Sequence, residues 1–290
     1  MPELVTVGID DSPESRAAVQ WAADEARRRG RPLRLLHAWG ITTGMEPIAG
    51  DPADERRHSE HLLQQAETDV GASHPDLTTE TVSVPDGPVH ALLSVAVRSE
   101  VLVLGSRGLG VVAGFLLGSV SQQVLARATC PVVLVRSQDT AAGAAGQPGR
   151  EVVLGLKRPG DLDRSVVHHA FSAAALRGLP LRVVHAWRPP VAVGGYPPVP
   201  SIEAEVRAAE EEGLTNALDS WRTAYPDVDV IEQPVIGSAA QVLVEAAAGA
   251  SLLVVGRGGR RLSGLGLRVG PVVHAALHHA PCPVAVVPHG

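Results

Sequence analysis

The chain has 290 residues, of which 45% are hydrophobic, so it carries enough apolar material to bury a full globular core. Aromatic residues make up only 3%, which means that this core must be built mainly from Ala, Val and Leu. The formal net charge of −6 offers no electrostatic attraction to nucleic acids or anionic membranes, and we expect neither as a partner.

Three sequence features bear on the compartment. No run approaches 18 apolar residues, so no membrane-spanning helix is predicted. The chain opens on a strand-like run at 4–9, without the pattern of a signal peptide. Its two cysteines, Cys130 and Cys282, each precede a proline, and we interpret them as buried thiols in a reducing compartment, not as a disulfide. We therefore expect a cytoplasmic protein.

The first 136 residues alternate between strand and helix signals. Ser12 is a predicted N-cap, Pro13 suits the first helical position, and Gly30 is placed to end that helix. Short apolar or alternating runs predict five strands, at 4–9, 32–39, 78–84, 101–104 and 131–135. Four helices are predicted between them, at 13–29, 54–70, 88–98 and 119–128.

The second half of the chain repeats the first. Residues 35–39, Leu-Leu-His-Ala-Trp, recur as Val-Val-His-Ala-Trp at 183–187, and the runs at 101–105 and 129–133 recur in the same order at 252–256 and 281–285. This pattern predicts a duplicated domain of about 140 residues. We predict domains at 1–136 and 150–290, joined by a linker at 137–149 that is rich in Ala, Gly, Gln and Ser.

Alternating strands and helices predict right-handed βαβ units and a parallel sheet with helices on both faces. In open sheets of this kind, ligands bind at the carboxyl ends of the strands where the strand order reverses. The loops to inspect are therefore those that follow strands 1, 2 and 4, at Asp10, Ala38 and Gly105.

The loop after strand 4 has the composition of a phosphate site. Gly105 and Gly108 allow tight turns and close approach to backbone N–H groups, and Arg107 adds positive charge. Gly118 and Ser119 open a helix, whose free N–H groups and positive dipole end favour phosphate. The hydroxyls of Ser119 and Ser121 are further donors.

Two strand ends supply groups suited to a nucleoside. The Asp10 carboxylate can accept hydrogen bonds from a ribose or a purine amine, and Ala38 offers a small apolar contact for a base. Glycines near strand ends are more often simple turns than phosphate sites. The convergence of glycines, a helix N-terminus, hydroxyls and a strand-end aspartate in one crevice nevertheless favours a nucleotide site.

The spacing Gly105-x2-Gly108-x9-Gly118-Ser119 resembles the nucleotide-binding pattern of the universal stress protein family. Asp10, His37-Ala38, Gly87-Pro88 and the run at 130–133 are similar to that family too, and the likeness extends over both halves. A tandem member is implied, with two Rossmann-like α/β domains. Each would hold a five-stranded parallel sheet of order 3-2-1-4-5 with helices on both faces.

The resemblance also implies a ligand and an assembly. The ligand is ATP, alone or with Mg²⁺, held by the first domain. The fifth strands would pair, 132–135 with 284–287 inside one chain or between the chains of a homodimer. The implied ATP contacts are Asp10, Ala38, Gly105, Arg107, Gly108, Gly118, Ser119, Val120 and Ser121.

The second copy departs from this pattern. Lys157 stands where the first copy has Asp10, Pro271 replaces Ser119, and by counting from Gly259, Gly270 comes one residue late. One interpretation is a decayed site on a retained scaffold, and the other is an anion site rebuilt from arginine side chains. The arginines available for such a site are Arg257, Arg260, Arg261 and Arg268.

Other chemistries find little support. There is no Gly-x4-Gly-Lys-Ser/Thr loop and no Gly-x-Ser-x-Gly elbow. His274 and His278 have a spacing that suits zinc, but no third ligand is evident, so a solvated helix face is the favoured interpretation and no metal site is predicted.

We therefore predict an ATP-binding, stress-response regulatory protein that is not an enzyme. Only Asp10 and Asp11 are at hand as general bases, so any turnover should be weak. The alternatives are a slow ATP hydrolase and a nucleotide-independent interaction scaffold.

Overall fold

A computed structural model of the chain describes residues 4–40, 51–106, 117–137, 149–160, 162–188, 200–258 and 269–289. Several predictions fall outside these ranges: those for Arg107, Gly108, Gly259, Arg260, Arg261 and Arg268, and that for most of the linker. The elements before residue 137 lie in one compact unit and those after residue 149 in a second. The exact domain boundaries stay a prediction.

The first unit is an α/β sandwich. Its strands run in the order β3-β2-β1-β4-β5, and each neighbouring pair is parallel. The predicted fold class, a parallel sheet with helices, is confirmed. The elements are β1 (Leu4–Gly8), α1 (Pro13–Arg29), β2 (Leu33–Ala38), α2 (Pro52–Ser73), β3 (Thr79–Val84), α3 (Pro88–Ala96), β4 (Ser99–Gly105), α4 (Ser119–Arg127) and β5 (Val132–Val135).

Helix α1 has the ends that its sequence predicts. Ser12 is the N-cap, and its Oγ accepts a hydrogen bond from the Ser15 N–H at 3.1 Å. Pro13 occupies the first turn, where its missing N–H costs nothing. Gly30 ends the helix with φ of 60°, a left-handed conformation that glycine adopts without a steric penalty.

Helix α2 (Pro52–Ser73) is longer than the predicted helix at 54–70, and one of its faces is buried. It begins earlier because Asp51 caps it, the Asp51 side chain accepting from the Ala53 N–H at 2.9 Å. Three apolar residues, Leu63, Ala66 and Val70, are buried on the face that packs against β2 and β3. In the sequence these apolar residues are separated by polar and charged ones, so the composition of the segment does not indicate a buried face.

The second unit repeats this connectivity, with strand order β10-β9-β6-β7-β8 and parallel pairing. Its core includes an aromatic pair, in which Phe171 is fully buried and stacks on Trp221 at 5.7 Å between ring centroids. Its elements are β6 (Glu151–Leu156), α5 (Arg164–Arg177), β7 (Leu181–Trp187), α6 (Pro200–Ala224), β8 (Val230–Ile236), α7 (Ala239–Ala246), β9 (Ala250–Arg257), α8 (Pro271–His279) and β10 (Val284–Pro288).

Aliphatic side chains form the sheet core, as the low aromatic content predicts. Val5, Leu35 and Val103 of the first unit are fully buried, as are Leu154 and Val254 of the second. Among the described helices, none is both long and apolar enough to cross a membrane.

Candidate functional site

A cavity of about 300 Å³ lies at the carboxyl ends of β1, β2 and β4 in the first unit. This is the point where the strand order reverses, since β1 has β2 on one side and β4 on the other. Arg107 and Gly108 lie outside the described residues. The other predicted site residues all line this cavity: Asp10, Ala38, Gly105, Gly118, Ser119, Val120 and Ser121.

Asp10 is held in place by two buried serines. Its N–H donates to Ser15 Oγ at 3.0 Å, and its Oδ1 accepts from the Ser12 N–H at 3.0 Å and from the Ser12 hydroxyl. Within the described residues, Oδ2 accepts no such bond, so the carboxylate keeps one oriented oxygen for a ligand. The role of Ser12 and Ser15 in holding Asp10 was not predicted, although the spacing Asp-x-Ser-x-x-Ser was a readable signal.

The amino end of α4 forms the opposite wall. Gly118 is the N-cap and supplies no side chain, so no cap residue satisfies the first N–H groups of the helix. Ser119 is exposed, and its N–H, in the first turn of the helix, has no partner within the helix. Ser121 is buried and its hydroxyl donates to the Gly105 carbonyl at 3.2 Å. This hydrogen bond links α4 to the end of β4. Because the hydroxyl of Ser121 is used in this way, its backbone N–H is the group that can bind a phosphate.

Gly105 is required by packing as well as by the loop. A Cβ at this position would lie 2.9 Å from the carbonyl carbon of Glu14 and 3.0 Å from the Ser15 nitrogen. Both are backbone atoms in the first turn of α1, which cannot move aside cheaply. The glycine therefore brings the amino end of α1 against the end of β4, next to the cavity.

A chain of polar side chains leads from the cavity to α2. His37 lines the cavity, and its Nδ1 lies 2.9 Å from the Oγ of the fully buried Ser59. Ser59 Oγ lies 2.7 Å from Ser83 Oγ, which accepts from Trp39 Nε1 at 2.9 Å. Burial, and next the neighbouring His58, lower the pKa of His37. Burial therefore favours the neutral form of the ring more than the nearby carboxylates favour the charged form.

The equivalent helix start in the second unit lacks the donors of the first. Helix α8 begins at Pro271 with Gly270 as its N-cap, as α4 begins at Ser119 with Gly118. Gly270 comes one residue late by counting from Gly259, and it is nevertheless the N-cap of α8, as Gly118 is of α4. Pro271 has no N–H to donate. The third helical position, Ser121 in α4, is the buried Val273.

The end of β7 also differs from the end of β2. His185, the counterpart of His37, is 2% exposed, with Nδ1 3.2 Å from the Leu156 carbonyl and Nε2 3.1 Å from Glu210 Oε2. Both ring nitrogens are therefore occupied by the protein itself. Lys157 follows β6 where Asp10 follows β1. The acidic group and the two hydroxyls of the first site have all been replaced.

Histidines at the end of α8 show no complete metal site. The rings of His274 and His278 lie 4.2 Å apart between centroids. Within the described ranges, no group of three or more His, Cys, Asp or Glu side chains is placed to hold a metal ion.

Comparisons with known proteins agree with this architecture. The model of the universal stress protein family matches residues 1–136 and 150–288. A universal stress protein of Mycolicibacterium smegmatis is 32% identical over 291 residues, covering 98% of this chain and 96% of the relative. One of Mycobacterium tuberculosis is 33% identical over 302 residues, covering 97% and 96%. A universal stress protein structure from Archaeoglobus fulgidus shares the fold, with a TM-score of 0.68, 17% identity and coverage of 99% and 98%.

Proposed function

The chain belongs to the universal stress protein family, and from that premise we propose that its first unit binds ATP as a regulatory ligand in the cytoplasm. The observation that carries the proposal is the cavity that gathers Asp10, Ala38 and the uncapped start of α4. Acidic, apolar and N–H-donating walls suit ribose, base and phosphate respectively.

The contrast with the second unit supports the location. Pro271, Val273 and Lys157 replace a donor, a hydroxyl and a carboxylate at equivalent positions, while His185 is engaged with Leu156 and Glu210. These replacements remove polar contacts that a nucleotide needs and leave the fold unchanged. We infer that the second unit does not bind ATP.

Binding without rapid turnover is the expected behaviour. Asp11 Oδ2 lies 2.9 Å from His58 Nε2, so this candidate base is already engaged. Asp10, whose Oδ1 accepts from Ser12, has its other oxygen assigned to binding the ligand. Mg²⁺ would enter with the nucleotide, because it is commonly held by substrate phosphates with one or two carboxylates. Asp10 is the carboxylate at the cavity wall.

The test is calorimetric titration of ATP into the wild-type chain and two variants at the same position. Ser119→Pro removes the N–H but is compatible with the helix start, since proline is favoured there and Gly118 has ψ of 144°. Ser119→Ala keeps the N–H and is the matched control. We expect Ser119→Pro to bind at least about tenfold more weakly, the cost of a lost hydrogen bond to a charged group.

The outcomes separate the three functions. Binding that falls further in Ser119→Pro than in Ser119→Ala supports the proposal, because both variants lose the hydroxyl and only the proline variant also loses the N–H. Linear ADP release that disappears in Asp10→Ala would support a hydrolase. A wild-type chain that binds no ATP would contradict the proposal and leave an interaction scaffold.

A further inference from the structure

The proton arrangement in the polar chain behind the cavity is set by its fixed end. Trp39 Nε1 can only donate, so Ser83 Oγ must accept from it at 2.9 Å. Ser83 still has its own hydroxyl proton to place, and the only other partner described for it is Ser59 Oγ at 2.7 Å.

The protons of Ser83, Ser59 and His37 can be arranged in two ways along this row of side chains. In the first, Ser83 donates to Ser59 and Ser59 donates to His37 Nδ1, so both hydroxyl protons are used and the Nε2 proton of His37 is the one without an acceptor among the described residues. In the second, His37 Nδ1 donates to Ser59 and Ser59 donates to Ser83. The Ser83 hydroxyl proton then has no acceptor among the described residues. Each arrangement thus leaves one proton without a described acceptor. The first is favoured because its unpaired proton lies on a ring that lines the cavity, where water or a ligand can accept it, whereas Ser83 is not among the described residues that line the cavity.

The first arrangement settles the tautomer of His37. A neutral imidazole that accepts at Nδ1 carries its proton on Nε2. Nδ1 is committed to Ser59, which is fully buried on α2, so Nε2 is the polar atom left on a ring that lines the cavity. Within the described part of the chain, Nε2 has no hydrogen-bond partner of its own.

We propose that His37 is a specificity-determining residue of this site, donating a hydrogen bond from Nε2–H to an acceptor on the nucleoside part of the ligand. The proposal rests on the proposed nucleotide function. Its place fits, because His37 adjoins Ala38 on β2, while the phosphate donors lie across the cavity on α4. Ser59 and Ser83 are positioning residues that fix the direction of this donor.

A first experiment needs no ligand. Long-range ¹H–¹⁵N spectra of the free, full-length protein distinguish the two neutral tautomers, and the His37 signals are assigned by their loss in His37→Gln. We expect the Nε2–H tautomer. Observation of the Nδ1–H tautomer would overturn the proposed direction of the chain, whatever the protein binds.

A second experiment uses two variants, His37→Asn and His37→Gln, each of which replaces one of the two ring nitrogens by an amide group. Asn places its amide near the position of Nδ1 and retains the Ser59 contact, whereas Gln reaches the position of Nε2. ATP titration should show about 5- to 10-fold weaker binding for His37→Asn, as for one lost hydrogen bond, and recovery of most of that loss in His37→Gln. His61→Asn, at an exposed position of α2, is the surface control.

The two hypotheses fail in different ways. If wild type binds ATP and His37→Asn binds equally well, the role of His37 is refuted and the nucleotide function stands. If Gln binds as weakly as Asn, the donor is not at Nε2. If wild type binds no ATP, both are refuted. Matching thermal unfolding curves for the variants exclude misfolding as the cause of weak binding.

Discussion

His37 links the chemistry of the cavity to pH. Its pKa is lowered from 6.5, first by burial and then by His58, and these outweigh the opposing pull of Asp11, Asp10 and Glu55. The unfolded chain therefore takes up a proton at a higher pH than the folded chain does. His37 therefore does not change the free energy of unfolding above pH 6.5. It lowers that free energy as the pH falls from 6.5 through the lower pKa of the folded state.

We predict that His37→Gln removes part of the pH dependence of stability. Between about pH 7 and pH 5, the unfolding free energy of wild type should fall more steeply than that of the variant, because the glutamine takes up no proton. Urea unfolding at several pH values measures both slopes. Equal slopes would show that His37 titrates at the same pH in the folded and unfolded chains.

Cys130 is predicted to be chemically inert in the folded protein. It is 6% exposed, and burial raises the pKa of its thiol to about 12. The thiolate is the reactive form, so alkylation at about pH 8 should be far slower than in the urea-unfolded chain. Mass spectrometry after iodoacetamide treatment gives both rates. Fast modification of native Cys130 would show that the core around β5 opens readily.

At the scale of elements, backbone conformation decides which glycines matter. Gly30 ends α1 in a left-handed conformation. Gly71 lies inside α2, where an added Cβ would meet no heavy atom of another segment within 4 Å. The same substitution should therefore have opposite effects at the two positions.

We predict that Gly30→Ala destabilises the protein by about 1 kcal/mol, because alanine is strained at positive φ. Gly71→Ala should stabilise it by roughly 0.5 to 1 kcal/mol through helix propensity. Urea unfolding of both variants provides the comparison, each serving as the control for the other. A destabilising Gly71→Ala would contradict the described helical environment of that residue.

Helices α4 and α8 show how an element can persist while its chemistry changes. Both are nine residues long and begin after an N-cap glycine. Proline is acceptable at the first helical position because that N–H has no partner within the helix. The substitution at Pro271 therefore preserves the helix and removes a donor that only a ligand would use.

At the scale of the whole chain, two similar units are predicted to bind one ATP. Titration should give a stoichiometry near one per chain in wild type, and at about 100 times the dissociation constant the ATP should stabilise the binding unit by about 2.7 kcal/mol. Native mass spectrometry supplies an independent count. Two nucleotides per chain would mean that the replacements in the second unit do not disable it.

Pairing through the fifth strands, within a chain or in a homodimer, stays a prediction from the family resemblance. It concerns β5 and β10, each of which stands at one end of the strand order of its own unit. Light scattering on the full chain measures the mass in solution and decides between one chain and two.

The sequence by itself determined the fold class, the caps of α1 and the duplicated strand–helix pattern, because these depend on local signals: apolar periodicity, Ser12-Pro13 and Gly30. It also indicated the residues that line the cavity, because the carboxyl ends of parallel strands meet at one edge of the sheet. The length of helix α2 and the burial of one of its faces were not predicted, since that face is defined only by its packing on β2 and β3.

Only the tertiary structure decided which polar groups meet. The chain Trp39–Ser83–Ser59–His37 joins residues from β2, α2 and β3, and the need for glycine at 105 arises from the backbone of α1 at Glu14. Such relations depend on distances between segments remote in sequence, and no local pattern encodes them.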